Sequence, residues 1–240
     1  MRGDLRPHSA YRLMRGFEHA YARHFLVPGL DACGEGLDVS LPWHVQIAGK
    51  AITVGRHVHM HAARTRPLRL ATWDNGHRSG RIAIGDYALL SPGTQIISSV
   101  GIAIGASTMI AAECYLSDSD WHDTYDRTAE REKFRPIRIG ENCWIGLRSI
   151  IGKGVTIGDN SIVGAGSVVM APVPANVVVA GNPARIVKEL DPHGPFRRRS
   201  DLFADPDQLN EDMDRLSRYL RKDNSWARWL RAMVRPGPED

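Results

Sequence analysis

Hydrophobic residues recur at intervals of six over the central part of the chain. An aliphatic residue opens each unit, and in the later part of the chain a glycine follows it. Those later openings are Ile139, Ile145, Ile151, Ile157 and Val163. The same spacing occurs earlier, in two runs that begin at Ile84 and Ile104. One short unit cannot bury its own apolar face, so the pattern predicts units that stack on one another in a solenoid.

The fifth residue of each unit is small. These residues are Ala88, Thr94, Thr108, Cys114, Cys143, Ser149, Val155, Ser161 and Ser167. Residues two apart in an extended strand share a face, so the fifth residue of one unit and the first of the next are both expected to point inward. The glycines, and the Asp-Asn or Lys-Gly pairs after them, are expected to supply turns with positive φ. Each unit is therefore one strand and one turn of a parallel β-helix; a sandwich of short strands is disfavoured by the constant unit length.

Helical patterns flank the repeat. Apolar residues at helical spacing predict an amphipathic helix over residues 10–26, with Ser9 as its cap, packed on the first coil or on a neighbouring subunit. Asp205 before Pro206 marks the start of another helix, and Ser225 precedes a further short segment. We expect an N-terminal helix and lead-in over residues 1–50, a β-helix over 51–190 and a helical extension over 191–240.

The last helical segment allows two interpretations. It places Trp226 and Trp229 on one side and several arginines on the other. A helix of this kind can cap the end of a β-helix, or it can lie on a membrane surface as a basic, tryptophan-bearing peripheral contact. The first interpretation is the plainer one, and both stay open.

Composition narrows the class of protein. The formal net charge is +4, which is mildly basic and does not indicate nucleic acid as a partner. The three cysteines form no CxxC pair, and two of them occupy the inward small position, so packing is expected for them instead of a disulfide or nucleophilic role. Neither a membrane-spanning apolar stretch nor a secretory signal is recognisable, and we expect a cytoplasmic location, with the inner face of the membrane as an option.

The repeat register fails once, between Leu116 and Ile139. A loop over residues 117–138 fills the gap and holds His122 among aspartates. Loops thrown out of a rigid scaffold commonly carry function, and a carboxylate beside an imidazole fixes its tautomer. The sequence does not choose among Asp118, Asp120 and Asp123 as that partner. The aspartate run lacks the glycine and closing glutamate of an EF-hand, so calcium is not expected.

Three further histidines, His57, His59 and His61, alternate along the chain. Alternation places them on one face of a strand, which can suggest zinc. We interpret them instead as a solvated or interface stripe, and no metal is expected to be required.

The repeat resembles that of the hexapeptide-repeat acyltransferases. The resemblance is strongest from Ile139 to Leu190, over Asn142–Gly146, Gly164–Ser167 and Ala180–Lys188. It implies an all-β solenoid, specifically a left-handed parallel β-helix with flanking helices. It is nearest to the maltose, galactoside and polysaccharide O-acetyltransferases, in which a loop histidine deprotonates the acceptor hydroxyl. His122 matches that base, with Asp120 as a catalytic partner.

The same resemblance implies a binding site for acetyl-CoA as the acyl donor. Carried over by position, the donor-binding residues are Trp144, Leu147, Ala165, Arg185 and Lys188. Ser91 and Asp118 are the expected acceptor-binding residues, with Ser91 standing where the family often has asparagine. Sites would form between the prisms of a homotrimer. We expect an O-acetyltransferase acting on a saccharide; the alternatives are N-acetylation of a nucleotide-linked amino sugar or of an antibiotic, and a non-catalytic scaffold.

Overall fold

The computed structural model describes residues 4–74, 76–128, 134–235 and 237. Contacts divide them into two units. One unit is Tyr21–Ser200; the other ends at Ala20 and resumes at Asp201. No helix among the described residues is long and apolar enough to cross a membrane.

The described residues form twenty short strands. They are β1 Ala32–Cys33, β2 Asp38–Ser40, β3 Val45–Ala48, β4 Ile52–Val54, β5 His59–His61, β6 Leu68–Thr72, β7 Ile82–Ile84, β8 Leu89–Leu90, β9 Gln95–Ser98, β10 Ile102–Ile104, β11 Met109–Ile110, β12 Tyr115–Ser117, β13 Ile137–Ile139, β14 Trp144–Ile145, β15 Ile150–Ile151, β16 Thr156–Ile157, β17 Ile162–Val163, β18 Val168–Val169, β19 Val177–Gly181 and β20 Ala184–Glu189. The first of them lies well before Ile52, where the repeat becomes readable in the sequence.

The strands form three sheets. Over most of the solenoid, each strand pairs with the strands three places before and three places after it in the chain. The first sheet has the order β1-β4-β7-β10-β13-β16, the second β2-β5-β8-β11-β14-β17-β19-β20, and the third β3-β6-β9-β12-β15-β18. Each coil therefore visits the three sheets in turn. All pairings are parallel except that of β19 with β20. The strand pairing confirms the predicted parallel solenoid.

Identical residue types stack in register along the core. Ile102 pairs with Ile82 on one side and with Ile137 on the other, and Ile104 is likewise flanked by Ile84 and Ile139. The small residues predicted at the fifth position are each at most 1 % exposed. The inward pattern read from the sequence is confirmed, because the interior of so narrow a coil accepts one aliphatic and one small side chain per unit.

The glycines after the aliphatic residues are required for a reason other than the predicted one. Gly105 and Gly140 do not have positive φ; a Cβ on Gly105 would lie 2.4 Å from the carbonyl atoms of Gly140 in the next coil. Positive φ falls at the fourth position instead, at Asn142, Gly154 and Asn160. The Asp-Asn and Lys-Gly prediction is therefore right, and the glycine prediction is wrong because close backbone stacking, not left-handed geometry, excludes a side chain there.

Helices flank the strands. They are α1 His8–Tyr21, α2 Pro206–Leu220 and α3 Trp226–Val234, with a π-helical turn at Ala22–Leu26 and 3₁₀ turns at Val27–Gly29, Pro42–His44 and Arg199–Phe203. Asp205 caps α2, as predicted, and Ser225 caps α3; the side chain of each accepts from a backbone N–H. Ser9 lies inside α1 and is not its cap; its hydroxyl accepts from the Trp226 indole N–H at 3.1 Å.

Two cysteine thiols are sealed in the core. Cys114 Sγ donates to the Gly146 carbonyl at 3.1 Å, and Cys143 Sγ donates to the Gly158 carbonyl at 3.2 Å. Burial raises the pKa of each thiol from 9.0 to about 11. Both groups are therefore protonated packing elements at neutral pH, and neither is a nucleophile.

The alternation of β15 predicts opposite outcomes for two adjacent isoleucines. Ile151 is fully buried, whereas Ile150 is 43 % exposed. Ile151→Ala should lower the free energy of unfolding by about 2–5 kcal/mol, since it leaves a cavity in the core. Ile150→Ala should cost less than about 1 kcal/mol. Chemical denaturation of the two variants measures both, and equal losses would contradict the inward and outward assignment.

The buried thiols predict a loss of stability at alkaline pH. The native state holds their protons between pH 9 and about 11 while the unfolded state releases them, so the free energy of unfolding should fall as pH rises through that window. The effect is on the order of 2 kcal/mol per thiol. The double variant Cys114→Ser, Cys143→Ser keeps the small inward side chains found at Ser149 and Ser161, and should flatten this slope. A slope unchanged from wild type would show that the thiols do not cause it.

Candidate functional site

One corner of the coil carries the long connections. We name it the His122 edge, and it comprises the segments that lead from the third sheet to the first: residues 49–51, 73–81, 99–101, 118–136 and 152–155. Two of these segments are long, at 73–81 and at 118–136. The register therefore fails at two places on the same corner, and the prediction of a single interruption is wrong. Residues 129–133 of the predicted loop lie outside the described residues.

Asp118 fastens the 118–136 segment to the coil below. The residue is fully buried. Its carboxylate accepts four hydrogen bonds: one from the Ser98 hydroxyl at 2.8 Å, and three from the backbone N–H groups of Ser99, Val100 and Gly101 at 2.7, 3.0 and 2.7 Å. These donors occupy the carboxylate that was predicted to bind the acceptor. Asp118 therefore has a structural role, which is to hold the turn at residues 99–101. A buried carboxylate is stable only when hydrogen-bond donors compensate for its lost hydration.

His122 is exposed on the segment that Asp118 anchors. Its Nδ1 lies 3.1 Å from the carbonyl oxygen of Arg127. A carbonyl oxygen can only accept, so Nδ1 carries the proton in this hydrogen bond. In the neutral ring the free lone pair is then on Nε2, which is the arrangement that a general base requires.

Asp120 has a different partner from the predicted one. Its carboxylate forms an ion pair with the Lys153 ammonium, which belongs to the next coil of the same edge. Asp120 contributes to the His122 backbone instead, since its carbonyl accepts from the His122 N–H at 2.8 Å. The ion pair ties the outer side of the loop to the solenoid, while a main-chain carbonyl orients the imidazole.

The remaining predicted residues lie elsewhere on the coil. Trp144 is on β14, 49 % exposed, and Arg185 and Lys188 are exposed on β20; all three belong to the second sheet. The corner that follows this sheet, which we name the Leu147 edge, holds Ser91, Leu147 and Ala165 in the turns between the second and third sheets. Among them Leu147 and Ala165 belong to adjacent coils, because the Gly166 N–H donates to the Leu147 carbonyl at 2.7 Å.

The two groups of predicted residues therefore occupy different corners of one coil. His122, Asp120 and Asp118 are on the His122 edge, whereas Ser91 and the residues predicted to bind the donor lie on the second sheet and the Leu147 edge. One copy of the chain does not bring the imidazole together with these residues.

A groove of about 400 Å³ borders the His122 edge. Ala83 and Ala103, outward residues of the first sheet, lie along it, and Arg81 and Arg138 flank it. Both alanines have small side chains, so space is left above the sheet at this point. A larger residue at either position would fill it. The groove offers apolar floor and positive charge beside the loop that carries His122.

The sequence reasoning missed the 73–81 segment. Trp73 is 52 % exposed there, and its ring lies 5.3 Å from that of Trp121, the residue before His122. The signal was present as the Asp-Asn-Gly sequence after Trp73, which is a turn signature. The repeat before Ile84 is too degenerate for the register break to be read, so the turn went unrecognised.

Only two of the three alternating histidines share a strand face. Only His59 and His61 lie on β5; His57 has a φ of 51° in the turn before it and stacks on Tyr87 at 5.5 Å. Across the part of the chain that the structure describes, no three His, Cys, Asp or Glu side chains are grouped as a metal site would require.

The protein-family model described as the hexapeptide repeat of succinyl-transferase matches residues 136–171. Galactoside O-acetyltransferase of Escherichia coli (strain K12) is 42% identical over 98 residues, which is 40% of this chain and 48% of the relative. The chain thus spans about half the length of this curated relative.

Two solved structures share the fold. One is a hexapeptide-repeat acetyltransferase of Vibrio cholerae O1 biovar eltor with acetyl coenzyme A, at a TM-score of 0.50 and 23% identity, covering 76% of this chain and 88% of that one. The other is a variant of the N-acyltransferase AntD of Bacillus cereus with dTDP and coenzyme A, at 0.55 and 18%, covering 81% and 96%.

The anchoring role of Asp118 can be tested by hydrogen exchange. Asp118→Asn replaces an acceptor-only group by one with a donor, so at least one of its buried N–H partners loses its hydrogen bond. We expect faster exchange at the amides of residues 99–101 and a loss of stability on the order of 2–4 kcal/mol. Asp126→Asn removes a charge from the exposed part of the same loop and should leave these amides protected. Unchanged exchange in Asp118→Asn would contradict the anchor.

Proposed function

We propose that this chain, which fits the hexapeptide-repeat acyltransferase group, is an acetyl-CoA-dependent O-acetyltransferase acting on a saccharide. The observation that carries the proposal is the exposed His122, whose Nδ1–H is held by the Arg127 carbonyl so that Nε2 is free. The galactoside O-acetyltransferase relative supports a saccharide acceptor, and the acetyl-CoA complex of the Vibrio cholerae structure supports the donor.

His122 acts as the general base. Its Nε2 takes the proton of an acceptor hydroxyl while the hydroxyl oxygen forms a bond to the thioester carbonyl carbon. The tetrahedral intermediate then expels the thiolate, and the imidazolium returns the proton to the sulfur. A sugar hydroxyl is a poor nucleophile near neutral pH, so a positioned base of this kind contributes about 10²–10⁴-fold.

The Leu147 edge is suited to hold a thioester carrier. Ala165 is exposed, and a Cβ built on the neighbouring Gly166 meets open space, so the main chain of these turns is accessible to a narrow arm. Trp144 offers an indole face on the adjacent sheet, and Arg185 and Lys188 on β20 offer charge for phosphates. The thioester supplies the activated acetyl group, and these residues would bind and orient it.

Because His122 and the donor-binding residues lie on different corners, we propose that a second copy completes each site. A homotrimer of left-handed prisms satisfies this requirement, with the His122 edge of one copy facing the Leu147 edge of the next. Exposed Trp144 and Leu147 fit such a contact, since large apolar side chains on a narrow prism are costly to leave in water. We place the reaction in the cytoplasm, where free cysteines persist.

Replacing the base tests the mechanism. His122→Ala should reduce kcat at least about a hundredfold, with little change in KM for acetyl-CoA and in the melting temperature, because the imidazole acts in the transition state. His19→Ala, at an exposed histidine of α1, is the matched control and should retain activity. Acetyl transfer is followed by thiol release with a panel of glycosides and amino sugars.

The same panel separates the alternatives. Retention of turnover in His122→Ala would contradict its assignment as the base. Faster transfer to amines than to hydroxyls would contradict the O-acetyltransferase. A wild-type chain that gains no thermal stability from acetyl-CoA would contradict the donor and favour a scaffold.

A further inference from the structure

An exposed aromatic pair stands beside the proposed base. Trp73 belongs to the 73–81 segment and Trp121 to the 118–136 segment of the His122 edge. Their ring centroids are 5.3 Å apart at an interplanar angle of 73°, the edge-to-face geometry that aromatic quadrupoles favour. Trp73 remains 52 % exposed, although Trp121 is partly buried.

The two segments hold each other in place. The Arg78 guanidinium lies 4.1 Å from the centre of the Phe134 ring, so the tip of the 73–81 segment contacts the end of the 118–136 segment. Phe134 in turn forms a bridge with Ser119, and the Gly80 N–H donates to the Trp73 carbonyl at 2.8 Å. Trp73 thus lies at the start of a turn that a backbone hydrogen bond closes, and not in an unsupported loop.

Trp121 is held in an unusual conformation. Its φ is 64°, in the left-handed region that a bulky side chain rarely adopts. The Trp121 N–H donates to the Ser119 hydroxyl at 3.0 Å, and the next N–H, that of His122, donates to the Asp120 carbonyl. Such conformations persist where the surroundings impose them, and they concentrate at functional sites.

We propose that Trp73, supported by Trp121, is the acceptor platform on which the pyranose ring of the saccharide stacks. The inference rests on the proposed function and assigns its substrate-binding residue. The C–H bonds on one face of a pyranose carry partial positive charge, and the π face of an indole is negative, so the two faces attract. The sugar's other face and rim keep their hydroxyls, one of which is presented to His122, the residue next to Trp121.

A purely structural role for the two tryptophans does not explain the exposure of Trp73. An indole that only joined two segments would gain most by burying both faces, as the core side chains of the coil do. Trp73 instead contacts Trp121 and leaves half of its surface in solvent, on the edge where the base is located. Exposure of this kind beside a reactive group indicates a binding surface.

Kinetics with two kinds of alcohol test the platform. Trp73→Ala and Trp73→Leu should raise KM for methyl β-galactopyranoside at least tenfold, with kcat and the KM for acetyl-CoA changed less than twofold. Trp73→Phe keeps a π face and should restore most of the affinity. Transfer to glycerol, which has no ring face, should be equally slow in all of these variants and the wild type. Trp43→Ala, at a 36 % exposed tryptophan that packs on Tyr21, is the matched control.

A binding measurement separates this inference from the reaction itself. Saturation-transfer NMR of methyl β-galactopyranoside with the wild-type chain should mark the ring C–H protons, and the signal should disappear in Trp73→Leu. Binding lost in Trp73→Leu without any acetyl transfer by the wild type would keep the platform and reject the proposed function. Acetyl transfer to the glycoside with an unchanged KM in Trp73→Leu, or an equal loss in Trp73→Phe and Trp73→Leu, would overturn the platform.

Discussion

Close stacking of successive coils is the constraint on which this structure depends. The backbone of one turn approaches the next so nearly that a Cβ on Gly105 would collide with Gly140. Inside the coil, isoleucine lies on isoleucine in register, and a small residue fills each remaining space. The size of each inward side chain is thereby fixed. The sequence can vary freely only at the outward positions and at the corners.

Function follows from what is attached to the corners. A rigid column has little freedom of its own, so a segment that leaves it must be tied back at defined points. Asp118 ties the segment that carries His122 to the coil below, and the Asp120–Lys153 ion pair ties it to the coil above. Further along the same segment, the Arg127 carbonyl accepts from Nδ1 and so sets the tautomer of His122. The imidazole is thus positioned by main-chain and charge contacts that belong to three levels of one edge.

Much of this could be predicted from the sequence, for a physical reason. The coil repeats every six residues, so the inward positions and the extended alternation are visible in residue spacing, and the cap at Asp205 is visible in the Asp205-Pro206 pair. Most partners of His122 and Asp118 were not, because they are backbone atoms of Arg127 and of residues 99–101, which carry no residue-type signal. Trp73 was missed since the repeat around it is degenerate, and its neighbour Trp121 is distant in sequence. The glycine prediction was wrong, because sequence alone does not show that the backbone of the next coil leaves no room for a side chain.

His122 and the Leu147 edge occupy different corners of the coil, so the proposed two-copy site can be tested by complementation. Two variants that are each inactive can be mixed: His122→Ala, which lacks the base, and Ala165→Trp, whose indole would obstruct the exposed turn at the Leu147 edge. If each site takes one edge from each of two copies, co-expression should restore about one quarter of the wild-type turnover, from sites that pair an intact base with an intact turn. A mixture no more active than its components, although both variants fold and assemble, would show that the site lies within one chain and would contradict the account.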